Sequence, residues 1–540
     1  MSYTKAGLIT LFAWLLWGDF CFTLMETVVP AILPLKLRSL ESSNWLIGAI
    51  MTTLPGIFNA TISPWVSFKS DRYRSKWGRR IPFIFYSMPF LTVTLVLIGY
   101  GDMLGVWIHG HFFKNSIVGQ ASVVIVVLAF FAACFDFFNM FVATVYWYLF
   151  SDVVPENLMS RFMSYFRLVG MVCSVGFNFF VLKYAESHMR TIYLAAACLY
   201  FAGFGIMCFK VREREYPPPN IVGELRGFFC DIRVFIGECY SIPYYWDVFF
   251  STVFSAVAGC VAPFSIFFLK SLDLSLDWIG KINAGSGILT AVCLVFVGGA
   301  IDKWHPVRVY AYFSPIGVAI ALNSCVWLFA DGCPSAILFF CSVMGCVLFS
   351  CSSITMQQVA ALPRALALFP RDRFGQFCGA ETLLRSVAVM CGGVTAGFFI
   401  DFAKHFFHDG YYPYRFIAIW QTFFLSIAFV FTCRVYRVWR RLGADERYKP
   451  PTKSFSVRKL LLQTPPVLAD GSGRGGVNRQ LAWVGLAGFA GIIIYDAIFL
   501  IYFVFFCHHT WNTLVFLVQL GVAVGFIPLY LWLLRFLEKK

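Results

Sequence analysis

What most constrains this chain is a succession of apolar runs, each about 20 residues or longer and separated by short polar turns. They cover 8–34, 45–68, 81–100, 119–149, 162–184, 191–209, 246–269, 278–300, 309–330, 335–362, 377–400, 415–433, 482–506 and 513–534. A run of that length crosses a hydrocarbon core as a helix, whereas a barrel strand needs about half as many residues. Lipid admits only helices and closed barrels, because every backbone polar group must be bonded within the protein. The expected fold class is therefore an all-α polytopic membrane protein of about fourteen helices. Composition points the same way. Of 540 residues, 59% are hydrophobic and 13% charged, against about a quarter charged in soluble domains. That leaves too little polar surface for water.

The formal net charge of +15 invites a nucleic-acid partner, but its placement argues otherwise. Of the 43 Lys and Arg residues, 31 fall in Lys5, 69–80, 210–245, 301–308, 363–376, 434–480 and the C-terminus, all on one side of the expected topology. The opposite side holds eight. This asymmetry puts the basic side and both termini in the cytoplasm, with the chain integral to the inner (plasma) membrane. The charge meets anionic lipid head groups, and no nucleic-acid partner is expected. The 18 cysteines are scattered without a Cys-x-x-Cys pair and read as small packing residues. No metal or cofactor is expected. Asp19 and Glu26 interrupt the first apolar run, and no small-residue cleavage pattern follows it, so it is not a removable signal.

The polar stretch after the sixth run contains Pro217-Pro218-Pro219 and mixed charge, and reads as a linker. The expected organisation is a six-helix half over 1–210, a linker over 211–245 and a second six-helix half over 246–433. A basic segment over 434–480 and an accessory two-helix hairpin over 481–540 complete it. Corresponding motifs relate the halves. Asp71-Arg72 after the second helix matches Asp302-Lys303 after the eighth, 231 residues on. Asp152 to Pro155 with Ser160-Arg161-Phe162 matches Leu368 to Pro370 with Gly375-Gln376-Phe377, 215 residues from Pro155 to Pro370. Offsets so close in chain order indicate parallel repeats with a solute site between them. The hairpin, whose one acid within an apolar run is Asp496, reads as a packing element or a docking element for a protein partner.

The loop Ser70-Asp71-Arg72-Tyr73-Arg74-Ser75-Lys76-Trp77-Gly78-Arg79-Arg80-Ile81-Pro82-Phe83 resembles the signature of the major facilitator superfamily, in the form carried by sugar:cation symporters of the glycoside–pentoside–hexuronide type and by sucrose–proton symporters. In the first helix, Asp19-Phe20-Cys21-Phe22 followed by Glu26 and Pro30 is similar to a run in the animal sucrose–proton group. So are Asp136-Phe137 and Asp152 in the fourth. The group's Arg in this helix falls on Trp147 and its preceding Pro on Val145. The resemblance implies a major facilitator fold of two parallel six-helix halves, here with two extra C-terminal helices. It further implies that Asp71, Arg72, Gly78, Arg79 and Arg80, with the degraded second copy Asp302 and Lys303, form a conformational latch.

An Asp at the centre of a lipid-facing helix costs about 2.5–3.5 kcal/mol on insertion scales. Asp19, Glu26 and Asp136 are therefore expected to face a cavity or protein, where a carboxyl group can take up and release a proton. Asp19 and Glu26 are seven residues apart and share one helix face. Asn59, Asn139, Trp17, Trp147, Asn178, Gln357 and Gln358 are candidates for gripping sugar hydroxyls or stacking on a ring. Glu381 and Arg385, four apart, are spaced for an ion pair.

Together these features predict a secondary active transporter that carries a sugar or glycoside with a proton or a sodium ion by alternating access. The substitution of Arg by Trp147 keeps open a carrier of amphiphiles such as lysolipids. A non-transporting sensor or scaffold of the same fold is the third reading. No nucleotide loop, metal cluster or nucleophile constellation suggests an enzyme.

Overall fold

The structure, a computed structural model, describes residues 5–538 apart from 74, 115, 155–158, 212, 214–238, 331–334, 339–354, 371–373, 408–409, 445–447, 452–473 and 508. The regular elements among these residues are helical. Much of the expected linker and part of the expected basic segment lie outside the described residues. Helix α1 (Lys5–Ser39) has 35 residues and contains Pro30 and Pro34. At 1.5 Å per residue it is about 52 Å long, more than a bilayer core requires. A short α2 (Asn44–Gly48) continues through a π-turn into α3 (Leu54–Arg72). Then follow α4 (Ile81–Phe112), α5 (Gln120–Val153), α6 (Met159–Gly176) and α7 (Met189–Lys210). The second half holds α8 (Pro243–Gly259), α9 (Ser265–Lys270), α10 (Leu276–Lys303), α11 (Pro306–Asn323), α12 (Thr355–Leu368), α13 (Phe374–Phe406) and α14 (Ile417–Arg441). The chain closes with α15 (Arg474–Tyr502) and α16 (Thr510–Glu538).

Among the described residues, twelve helical stretches are long and apolar enough to cross a membrane, and the protein is integral to one. They match the expected runs except the eighth and tenth. The eighth is helical as α10, over 28 residues. The tenth is described at 335–338 and as α12.

The chain divides into two compact units. The first comprises Met1–Glu224 with Ser275–Gly287 and Val389–Phe402. In it α4 packs along α5 and α7, α1 along α6 and α7, and α3 along α5. The expected halves 1–210 and 246–433 do not coincide with the units throughout, and contacts explain why. Asp401 near the end of α13 caps α2, accepting from the Asn44 N–H at 3.1 Å, the Trp45 N–H at 2.9 Å and Asn44 Nδ2 at 2.7 Å. Gly48 and Gly393 approach so closely that a Cβ on either would strike the other's backbone. Thr53 Oγ1 donates to the Met390 carbonyl at 2.6 Å. These bonds draw the end of α13 into the first unit.

The second unit comprises Leu225–Leu274, Ile288–Ala388 and Ala403–Lys540. Its core gathers Tyr244, Tyr245, Phe249, Phe369, Phe377 and Trp439. The C-terminal hairpin belongs to this unit and lies along α11. Trp327 meets Phe499 and Phe516 edge-on, and Tyr530 Oη donates to the Tyr312 carbonyl at 3.2 Å. Asn323 Nδ2 donates to Asp496 Oδ1 at 3.2 Å, and Gln519 Nε2 donates to Asn323 Oδ1 at 2.7 Å. A buried polar relay thus ties both hairpin helices to α11.

Candidate functional site

Within the first unit, a cavity of about 200 Å³ opens between α1, α5 and the α2–α3 segment. Glu26 from α1 and Asp136 and Asn139 from α5 supply its polar wall, and Pro30, Met51 and Phe135 are among its apolar lining. Asp136 and Asn139 are three apart, so one face of α5 presents both. Asn139 Nδ2 donates to Glu26 Oε1 at 3.2 Å. Two carboxyl groups and an amide therefore meet in a space a few water molecules wide.

Asp19 does not join them. Seven residues place it on the same side of α1 as Glu26 but about 10.5 Å along the axis. There it is 1% exposed, and Thr23 Oγ1 donates to its Oδ1 at 3.4 Å. A Cβ on Gly170 of α6 would lie 3.8 Å from its Oδ2. That oxygen has no hydrogen-bond partner among the described residues.

The other candidates scatter. Trp147, 47% exposed, packs edge-on against Phe166 at 5.2 Å and Phe150 at 6.0 Å, outside the acidic cavity. Trp17 stacks on Phe20 at 5.9 Å. Asn178 accepts from Asn283 Nδ2 at 3.2 Å. Asn59 on α3 and Gln357 on α12 are half-buried and line neither that cavity nor the one in the second unit. The side chains of Asp71, Arg72, Asp302, Lys303 and Gln358 lie outside the described residues.

The Ser70–Arg80 loop is tightly built. Gly78 has φ +105°, a left-handed conformation that favours glycine. The chain then enters α4, whose first N–H groups need acceptors. Glu213, just beyond α7, supplies them. Its Oε2 accepts from the Arg79 N–H at 2.9 Å, and its Oε1 from the Arg80 and Ile81 N–H groups at 2.8 and 2.6 Å. A Cβ on Gly78 would lie 2.5 Å from the Glu213 carboxyl carbon, so the glycine also makes room for the cap. Burial raises the Glu213 carboxyl above its ordinary range, and the three N–H bonds oppose that shift. Arg79 donates through Nε and Nη2, and Arg80 through Nε, to the Asp152 carboxylate at the end of α5. Arg80 Nη1 reaches Ser70 Oγ, and its guanidinium sits 5.0 Å from the Tyr148 ring. Sequence reasoning did not single out Glu213. The available signal was an acid directly after the sixth helix, between Arg212 and Arg214.

The expected Glu381–Arg385 ion pair is not formed among the described residues. Both side chains instead line a cavity of about 220 Å³ in the second unit, with Arg364 and Tyr310. The i,i+4 spacing permits the pair without fixing either side chain's direction, and the cavity both line is shared with Thr252 and Ser255 of α8, Tyr310 of α11 and Arg364 of α12. Among the described residues no cluster of three or more His, Cys, Asp or Glu is placed to hold a metal ion.

No protein-family profile and no curated protein matches the chain. Solved structures do. A bacterial homologue of the human lysosomal transporter Spinster superposes with a TM-score of 0.61 at 13% identity, covering 83% of this chain and 100% of the other. A D-xylose–proton symporter gives 0.56 at 12% identity, covering 83% and 99%. The nucleoside transporter NupG, as a mutant, gives 0.55 at 11% identity, covering 78% and 98%. At such identities the likeness is one of fold, the helical membrane fold that these three solved transporter structures share.

Proposed function

We propose that this chain is a secondary active transporter that carries a sugar or glycoside with a proton by alternating access. The carrying observation is the cavity of Glu26, Asp136 and Asn139 within membrane-spanning helices. Ionisable groups at such depth are expensive and mark solute or proton pathways. Two carboxylates in about 200 Å³ repel when both are ionised, and one proton removes that repulsion. Uptake of the proton on one side and its release on the other is then the coupling step, driven by about 2.3 kcal/mol per charge per 100 mV. Asn139, already bonded to Glu26, links the proton site to a donor and acceptor able to hold a hydroxyl. The basic side faces the cytoplasm, as do both termini.

The latch fits the same scheme. Asp71, Arg72, Gly78, Arg79 and Arg80, with Asp302 and Lys303 as the second copy, hold the helix ends in one conformation. Arg79 and Arg80 grip Asp152 at the end of α5, the helix that also carries Asp136 and Asn139. Movement at the loop is thereby transmitted to the acidic cavity along one rigid helix.

The test is solute-driven proton uptake in proteoliposomes with a panel of sugars and glycosides. Glu26→Gln and Asp136→Asn are each expected to abolish proton movement while the protein still inserts. Unchanged proton uptake in both would remove the proposal. Loss with Asp19→Asn alone would move the proton site to the buried acid of α1.

A further inference from the structure

In the second unit, α8, α11, α12 and α13 line the cavity of about 220 Å³ that holds Arg364, Arg385 and Glu381. These are two cations and, among the described lining residues, one acid. Asp247, on the same helix as Ser251, pairs with Arg434 at 3.2 Å and does not line the cavity. Arg364 is 4% exposed. Its Nη2 donates to Ser251 Oγ at 2.6 Å and to the Val248 carbonyl at 3.4 Å. Its guanidinium sits 4.2 Å from the Tyr310 ring centroid. Its Nη1 is buried and has no hydrogen-bond partner among the described residues.

A guanidinium held by a hydroxyl on one arm and by a ring on its face is fixed in orientation. The planar fork of arginine then matches a carboxylate or a phosphate oxygen pair. An uncompensated buried cation is costly, and a partner anion removes that cost. The cavity has about the volume of seven water molecules, enough for a carboxylate or phosphate group to seat against Arg364. The lining charge, two positive and one negative, leaves one positive charge, which a single carboxylate neutralises. Thr252 and Ser255, which also line the cavity, offer hydroxyls to the remainder of a polar solute.

We propose that this cavity binds an anionic group, a carboxylate or phosphate on a small polar solute, with Arg364 as its anchor and Arg385 as its second cation. Calling that solute the cargo rests on the transport reading. The binding itself does not.

The experiment uses the purified full chain in neutral detergent at constant ionic strength. Its thermal midpoint is followed with D-gluconate, D-glucose 6-phosphate and D-glucose, since a ligand of the folded state alone raises stability. At least one acidic probe is expected to raise the midpoint more than D-glucose does. Arg364→Gln should weaken that probe's affinity about 10- to 100-fold, as loss of a charge-assisted bond does. Arg364→Lys, which keeps the charge without the fork, should fall between. If Arg364→Gln does not purify as a monodisperse species, Arg385→Gln carries the test, because its side chain is exposed. The proposal is overturned by no response to either acidic probe, by equal responses to acidic and neutral probes, or by unchanged affinity in the arginine variants. Stabilisation by phosphatidylglycerol alone would assign the anion to a lipid head group and overturn the solute. Failure here with proton-coupled uptake intact sinks this inference only. Acid-dependent binding without proton-coupled uptake of any solute sinks the transport reading only.

Discussion

Replacing Glu213 by Gln removes one charge with little change in shape, and the geometry of the cap determines the cost. Oε1 takes two N–H groups, from Arg80 and Ile81, and Oε2 takes one, from Arg79. A glutamine with its oxygen at the Oε1 position keeps the first two and turns an NH2 group towards the third. The residue is 8% exposed, so the orphaned donor is largely cut off from water and costs about 1–3 kcal/mol. Losing a negative charge at the start of α4 adds about 0.3–1 kcal/mol. The total, about 1.3–4 kcal/mol, is a local opening cost. Hydrogen exchange at the Arg79, Arg80 and Ile81 amides should therefore accelerate about 10- to 1000-fold in Glu213→Gln. Glu213→Ala, which strips all three acceptors, should exceed that. Mass-resolved exchange on the purified protein reads the peptide directly, with the α15–α16 hairpin as an internal reference. Unchanged protection of the three amides in both variants would refute the cap.

Gly78→Ala forces a left-handed residue, at about 1–2 kcal/mol, and drives a methyl group into Glu213. Its thermal midpoint should drop, and the double variant with Glu213→Ala should lose less than the sum of the two, because the clash partner is gone; strict additivity would show that the two residues do not touch. Asp401→Ala removes three bonds at the start of α2, worth about 0.5–2 kcal/mol for a helix cap. Exchange at Asn44 and Trp45 should rise by at least severalfold, and equal protection would argue against the cap. Asp496→Leu leaves Asn323 Nδ2 without its buried acceptor, at about 1–3 kcal/mol, and should lower the unfolding midpoint, whereas Asp496→Asn retains an acceptor and should not. Equal midpoints for the two would mean that apolar packing alone holds the hairpin.

The helices were legible because lipid is an unforgiving solvent: a run such as 482–506 has no stable alternative to a helix across the membrane. The acids of α1 and α5 were legible for the same reason, since Glu26 and Asp136 are too costly for acyl chains. Their grouping was not. Helical periodicity assigns Asp19 and Glu26 a common face, but it is silent on which helices pack there, and α6 lies against the buried Asp19 whereas α5 forms the cavity with Glu26. The spacing of Glu381 and Arg385 allowed a pair but could not reveal that Arg364, from another helix, lines the same cavity. Glu213 was the least accessible of all, because its partners are main-chain N–H groups more than 130 residues away, and every residue other than proline carries such a group. A motif of side chains, such as Asp71 to Arg80, can be matched letter by letter. The acceptor that satisfies the motif's backbone leaves no letter to match, yet its loss costs the loop about 1.3–4 kcal/mol. A search for the missing partner of an N-terminal helix turn therefore belongs beside the search for the motif itself.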